Sequence, residues 1–92
     1  MDKELSFITV IGADKKGIVA RISGLLYKYD INIEDINQKI MDGYFVMTML
    51  VDAKDCKVPL EKVRAELEEI SNQMNLKIQL QHEKLFNMMH RV

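Results

Sequence analysis

Cysteine is all but missing from this chain: Cys56 is the one example in 92 residues. A lone thiol closes no intramolecular disulfide, so the fold must hold without cross-links, and a reducing cytoplasm is the expected compartment. An excess of charge is missing too, with 13 Lys and Arg against 14 Asp and Glu. That balance argues against a generic nucleic-acid or membrane-surface binder, which carries a basic excess. Any anion site must therefore be local. No apolar run approaches the length of a membrane-spanning helix. Met1-Asp2-Lys3-Glu4 has neither a basic n-region nor an apolar h-region, so no secretory signal is expected. There is no low-complexity segment and no linker. What remains is 48% hydrophobic, too apolar for a disordered chain. A single domain over 1–92 is expected, short enough to bury only about 60–65% of its unfolded surface.

Hydrophobic periodicity divides the chain. Leu5, Phe7 and Ile11 fall on one face of a strand, Ile8 and Val10 on the other, as in the interior of a sheet. Ile18, Val19, Ile22, Leu25, Leu26 and Tyr29 mark one face of a helix. Ile31-Asn32-Ile33 opens a second strand, whose apolar phase shifts before Ile36, the signature of a bulge. Asp42-Gly43 predicts a type I′ hairpin, because both central residues need φ > 0. In the third strand Tyr44, Val46 and Leu50 face one way, and Phe45, Met47, Met49 and Val51 the other. Asp52 to Val58 reads as a polar connector. Pro59 suits the first position of a second helix, with Val58 as N-cap, and Leu60, Val63, Leu67, Ile70 and Met74 form its stripe. Asn75 suits a left-handed close. Leu76, Ile78 and Leu80 alternate with polar residues, as on an edge strand. Leu85, Met88, Met89 and Val92 then form a short amphipathic tail over 83–92.

The order β-α-β-β-α-β predicts an α+β, ferredoxin-like sandwich with an antiparallel sheet in order 4-1-3-2 and both helices on one face. The Phe45 row or its opposite phase must then lie on the other face. An exposed apolar face marks an interface, so a homodimer is expected, with the tail covering the face in its own chain or across the dimer.

The stretch Ile11-Gly12-Ala13-Asp14-Lys15-Lys16-Gly17-Ile18 organises the chain. It reads as a strand end, a tight turn and a helix start. Either glycine can take positive φ or allow a close approach. Asp14 is a natural N-cap. The free N–H groups after it, at the positive end of the helix dipole, form a corner for an anion. The bland alternative is a strand-to-helix turn with no ligand.

Gly12-Ala13-Asp14-Lys15-Lys16-Gly17-Ile18-Val19-Ala20, followed by Ile31-Asn32-Ile33, resembles an ACT domain, the small-molecule-sensing module of amino-acid metabolism. The likeness covers the βαββαβ core, about residues 4–82. It is nearest in kind to free-standing ACT proteins, similar to the ACT units of the glycine cleavage system transcriptional repressor. Leu85-Phe86-Asn87-Met88-Met89-His90-Arg91 is similar to the tail of that group. The resemblance implies side-by-side pairing and an amino acid, or a related carboxylate, bound at the subunit interface, with a regulatory protein partner as a further implication. Its ligand contacts fall here on Gly12, Asp14, Gly17, Ile18 and Asn32. Serine-binding members tend to carry Asn or His and Pro-Gly in the turn. Asp14 replaces that Asn here, and Lys16 stands where Pro is common. An acid there repels a ligand carboxylate and suits its ammonium.

Each candidate has a structural alternative. Asp14 either caps the helix or holds an α-amino group. Asn32 either bridges to a ligand or steadies the turn into its strand. Gly17 serves helix–strand packing first, with ligand contact secondary. Cys56 has no His or second Cys nearby in sequence and is expected to be incidental. His82 and His90 lie outside zinc-finger spacing, so no metal is expected, nor any cofactor. The methionines read as core or interface filler, and Glu66, Glu68 and Glu69 as a solvated helix face. Rival users of this fold lack support. A metal chaperone needs Cys-x-x-Cys in the first turn. An RNA-binding sheet needs a basic surface around aromatics such as Phe7, Tyr44 and Phe45. An acylphosphatase-like enzyme needs an Arg in the first turn, and Arg21 lies too deep. No acid–base–nucleophile set converges, so catalysis is not expected. A ligand-free module that docks through its apolar sheet face and tail is the alternative to sensing.

Overall fold

A computed structural model describes residues 3–13 and 16–89. Its elements run β1 (Leu5–Gly12), α1 (Ile18–Lys28), β2 (Asn32–Met41), β3 (Tyr44–Asp52), α2 (Leu60–Met74), β4 (Lys77–His82) and α3 (Glu83–Met89). The four strands form one antiparallel sheet in the order β2-β3-β1-β4. This is the ferredoxin-like βαββαβ arrangement, and its strand order is the expected 4-1-3-2 read from the other edge.

Alternation on the two central strands sorts the faces. Ile8 pairs with Met49 and Leu80, and Val10 with Met47 and Ile78. These residues point to the side that α1 and α2 cover. Ile8, Val10, Met47 and Met49 are fully buried there, with Ile18, Ile22, Leu26, Val63 and Leu67 of the helices. Each such side chain contributes about 1.5–3 kcal/mol by leaving water. Phe7, Thr9 and Ile11 of β1 point the other way, beside Val46, Thr48 and Leu50 of β3. It is thus the opposite phase of β3, not the Phe45 row, that lies on the open face.

Local chemistry sets the boundaries. Asp42 (φ 52) and Gly43 (φ 85) both take the left-handed conformation that the hairpin needs. The β2 register shifts between Ile33 and Asp35, where the bulge was expected. Asn75 closes α2 in the left-handed conformation, φ 56 and ψ 52. Two boundaries differ from expectation. Pro59, not Val58, is the N-cap of α2; its ψ of 146° keeps it extended, one residue outside the helix. Asp52 is no loop residue but the last residue of β3, and its Oδ1 accepts from the backbone N–H of Glu4 and Lys54, both at 3.0 Å. Partial burial pushes the Asp52 carboxyl up, but those two N–H donors pull it below its ordinary value.

Glu66 departs from its expected place on a solvated face. It is half-buried between the helices, accepts from the Tyr29 hydroxyl, and pairs with Lys28 (3.3 Å) and Lys62 (3.8 Å). The Tyr29 hydroxyl, ahead of Lys28, holds its carboxyl below the ordinary range. Helix periodicity could not reveal this, because the partner Tyr29 caps the end of α1, 37 residues away in sequence. The expected tail stripe also turns out differently. Phe86 is the side chain that packs, its ring stacked on Phe7 at 4.1 Å, while Leu85 and Met88 stay exposed. Val92 lies outside the described residues, as do His90 and Arg91.

A carboxylate with a lowered folded-state pKa contributes stability that is present above its ordinary pKa and lost as pH falls through the folded value. Glu66→Gln should therefore lower Tm at neutral pH and flatten its decline between about pH 5 and pH 3. Thermal denaturation followed by circular dichroism across that range checks this.

Candidate functional site

Among the described residues, the strand-to-helix corner is built on backbone rather than on side chains. Gly12 ends β1, buried, opposite Phe45 of β3. The chain then turns into α1, whose N-cap is Gly17 at φ 75 and ψ −5, with no side-chain hydrogen bond to cap it. That corrects the expectation of Asp14 as N-cap: the helix starts at Ile18, four residues later. Asp14 itself lies outside the described residues, as does Lys15. Ile18 is fully buried and anchors the first turn in the core. Its side chain is therefore held by packing, and what it can offer a ligand is its backbone N–H. The first intrahelical bond runs from Arg21 N to Gly17 O at 3.0 Å. The amides before Arg21 are helix-start donors of the kind that receive anions. No acidic side chain occupies that first turn.

The left-handed φ of Gly17 is costly for any residue with a Cβ, and the Met74 methyl of α2 lies 3.7 Å from where a Cβ would stand. The left-handed φ is what calls for glycine here; the Met74 contact is an ordinary one and comes from a helix, not from the strand expected to pack there.

Asn32 stands elsewhere. It begins β2, exposed, opposite Asp52. Gly12 and Asn32 pair with positions of β3 seven residues apart, about 23 Å at the rise of an extended strand. The protomer does not bring them together. The Asn32 amide Nδ2 donates to Glu34 Oε2 at 2.6 Å, and Lys3 pairs with the same carboxylate. Lys3, then Asn32, hold Glu34 below the ordinary carboxylate range. A groove of about 430 Å³ beside Asn32 is lined by Tyr27, Asp30, Ile31 and Asp55. Glu34 was missed from sequence, although its two-residue spacing from Asn32 on a strand was a usable signal. Asp30 and Asp55 carried no such signal, since two loops converge there only in the folded chain.

Cys56 is half-buried, and its thiol donates to the Val58 carbonyl oxygen (Sγ–O 3.2 Å), inside the loop before α2. No group of three or more His, Cys, Asp or Glu able to hold a metal ion occurs among the described residues. No helix of the described residues is long and apolar enough to cross a membrane.

Comparison with known proteins gives consistent matches. The model of the ACT domain family matches residues 4–81. A UPF0237 protein of Methanopyrus kandleri is 44% identical over 85 residues, 92% of this chain and 94% of its own. The structure of an ACT domain protein from Streptococcus pneumoniae superposes with a TM-score of 0.79 at 38% identity, covering 92% of this chain and 96% of that one. The structure of a glycine cleavage system transcriptional repressor shares the fold, with a TM-score of 0.73 at 21% identity over 88% of this chain and 46% of that one.

The two helix-associated glycines should respond in opposite directions. Gly17→Ala should cost about 1–2 kcal/mol through its left-handed φ. Gly24, inside α1 with nothing within 4 Å of a Cβ, should gain about 0.5–1 kcal/mol on change to Ala. Urea denaturation of both variants measures this.

Proposed function

The chain belongs to the ACT domain family, and we propose on that footing that it is a non-enzymatic sensor of an amino acid or a related small carboxylate, bound where two copies meet. The observation that carries this reading is the separation of Gly12 and Gly17 from Asn32 at opposite ends of the sheet. A two-fold axis beside β2, with the two β2 strands antiparallel, would set the partner's Asn32 at the end where β1 gives way to α1.

The edges of the sheet support that choice. At the β4 edge, Arg64 Nη2 already donates to the Leu80 carbonyl oxygen at 3.0 Å. β2 is the other edge. Its Ile36 and Ile40 pair with Met49 and Phe45 on the helix-covered face, yet are 38% and 62% exposed. The helices of the protomer do not reach them. A second sheet continued from β2 would bring its own helices over both.

In the completed site the ligand carboxylate meets the N–H groups at the start of α1, where Gly12 and Gly17 permit close approach. Its ammonium meets Asp14 and the amide oxygen of the partner's Asn32. Ligand binding would tighten the β2 contact and so change the surface offered to a regulatory protein partner. A ligand-free docking module is the second reading, favoured by exposed Ile11, Met41 and Tyr44 on the open face.

A thermal-shift screen against the proteinogenic amino acids separates the two. A ligand at a hundredfold its Kd adds about 2.7 kcal/mol of stability. Asn32→Ala and Asp14→Ala should each abolish the shift while leaving the unliganded Tm nearly unchanged. A shift that survives both variants would place the ligand elsewhere. No shift with any amino acid would favour the docking module.

A further inference from the structure

The open face of the sheet carries a charge pattern that no described ion pair of its own chain uses, although Asp35 Oδ1 accepts from the adjacent Ile36 N–H at 2.9 Å. Asp35, Asn37 and Lys39 of β2 pair with Leu50, Thr48 and Val46 of β3 and share their face. With Phe7 these residues line a groove of about 470 Å³. Beyond the bulge the strand is regular, so Asp35 and Lys39 stand about 13 Å apart, too far to pair with each other. No described ion pair involves either. Their order is acid, amide, base, at equal spacing. Such a row is complementary to itself when reversed.

The apolar residues of the face are arranged likewise. α3 covers the Phe7 end of β1 through the Phe86 ring. The opposite end, Ile11 with Tyr44 and Met41 of the hairpin, is exposed to 42%, 55% and 51%. α3 in turn shows solvent Leu85 and Met88, 50% and 71% exposed. One protomer thus has an uncovered apolar end and an uncovered apolar helix at opposite ends of the same face.

We propose that a second copy of this chain docks on the open face, with the two sheets stacked and related by a two-fold axis that lies between them, across the strands at Asn37. That operation places Asp35 opposite the partner's Lys39, and Lys39 opposite the partner's Asp35. It sets the Asn37 amides together, where each can donate and accept. The partner's α3 comes to lie over Ile11 and Tyr44. α3 lies over β1 and β4 and keeps the sheets apart on that side, so they come closest along β2, where these long side chains reach across. Each contact occurs twice, as a closed two-fold interface requires. This interface uses the face of the sheet and is separate from pairing at the β2 edge. With both in place the assembly is a tetramer, and with the face alone a dimer.

Sedimentation velocity at micromolar concentration tests this with three variants. Lys39→Asp sets acid against acid and should weaken self-association by about tenfold or more, moving the average mass toward that of the monomer at concentrations where the wild type is mostly associated. The double swap Asp35→Lys with Lys39→Asp restores complementarity and should return the mass to the wild-type value. Both positions are exposed, so circular dichroism should stay unchanged. Met88→Lys lies on α3, over β1 and β4 and away from the β2 edge, and should also lower the mass. If Lys39→Asp dissociates the assembly and Met88→Lys does not, the contact is at the strand edge and the face proposal fails. It also fails if the wild type sediments as a monomer throughout, which leaves the groove to a different occupant, or if the double swap does not recover association. None of these readings depends on an amino-acid ligand, so loss of the thermal shift and loss of the face contact are distinguishable.

Discussion

Two helices on one side of a four-stranded sheet is the constraint from which the rest of this structure follows. Each strand–helix–strand crossover is right-handed by the twist of its strands, so α1 and α2 fall on the same face. The apolar stripes of both helices and the inward rows of β1 and β3 then close one core. The other face is left to a single short helix. β1 and β3 are central and apolar on both sides, so the uncovered face cannot be made wholly polar. The protomer carries its unfinished surfaces there and along β2.

The same constraint separates the parts of the candidate site. A helix that returns from the end of β1 to the start of β2 spans the length of the sheet. The glycine turn and Asn32 must therefore lie at opposite ends, however either is decorated. Each end carries its own chemistry. The α1 start offers backbone donors at the positive end of a helix dipole. The β2 start gathers Asn32, Glu34, Asp30 and Asp55. The proposed amino-acid ligand would draw on both environments, and the proposed two-fold axis would unite them. The small size of the chain makes such economy understandable, because a short domain has little interior in which to enclose a ligand.

Hydrogen bonds at and just beneath the surface do the remaining work. The Tyr29–Glu66 contact ties α1 to α2, Asp52 stitches the start of β1 to the end of β3, and Arg64 occupies a carbonyl of β4. None of the three is catalytic in character. Cys56, bonded to a carbonyl within its own loop, is likewise accounted for by packing.

Which face of β3 the helices cover came only with the fold, but the amino-acid order by itself determined the order of the elements, which residues of each strand share a face, the bulge before Asp35, the Asp42-Gly43 hairpin and the left-handed Asn75. These follow from periodicities of two and 3.6 and from residues that tolerate positive φ, all of which act within a few positions along the chain. It also carried Gly12, Gly17, Ile18 and Asn32 as candidates. Only the tertiary structure decided that Gly17 rather than Asp14 stands at the helix cap, and that Phe86 rather than Leu85 packs onto the sheet. It alone showed Glu66 between the helices, and the glycine turn and Asn32 a sheet's length apart. Those outcomes depend on which side chain of one element meets which of another, and contacts between residues distant in sequence leave no periodic trace.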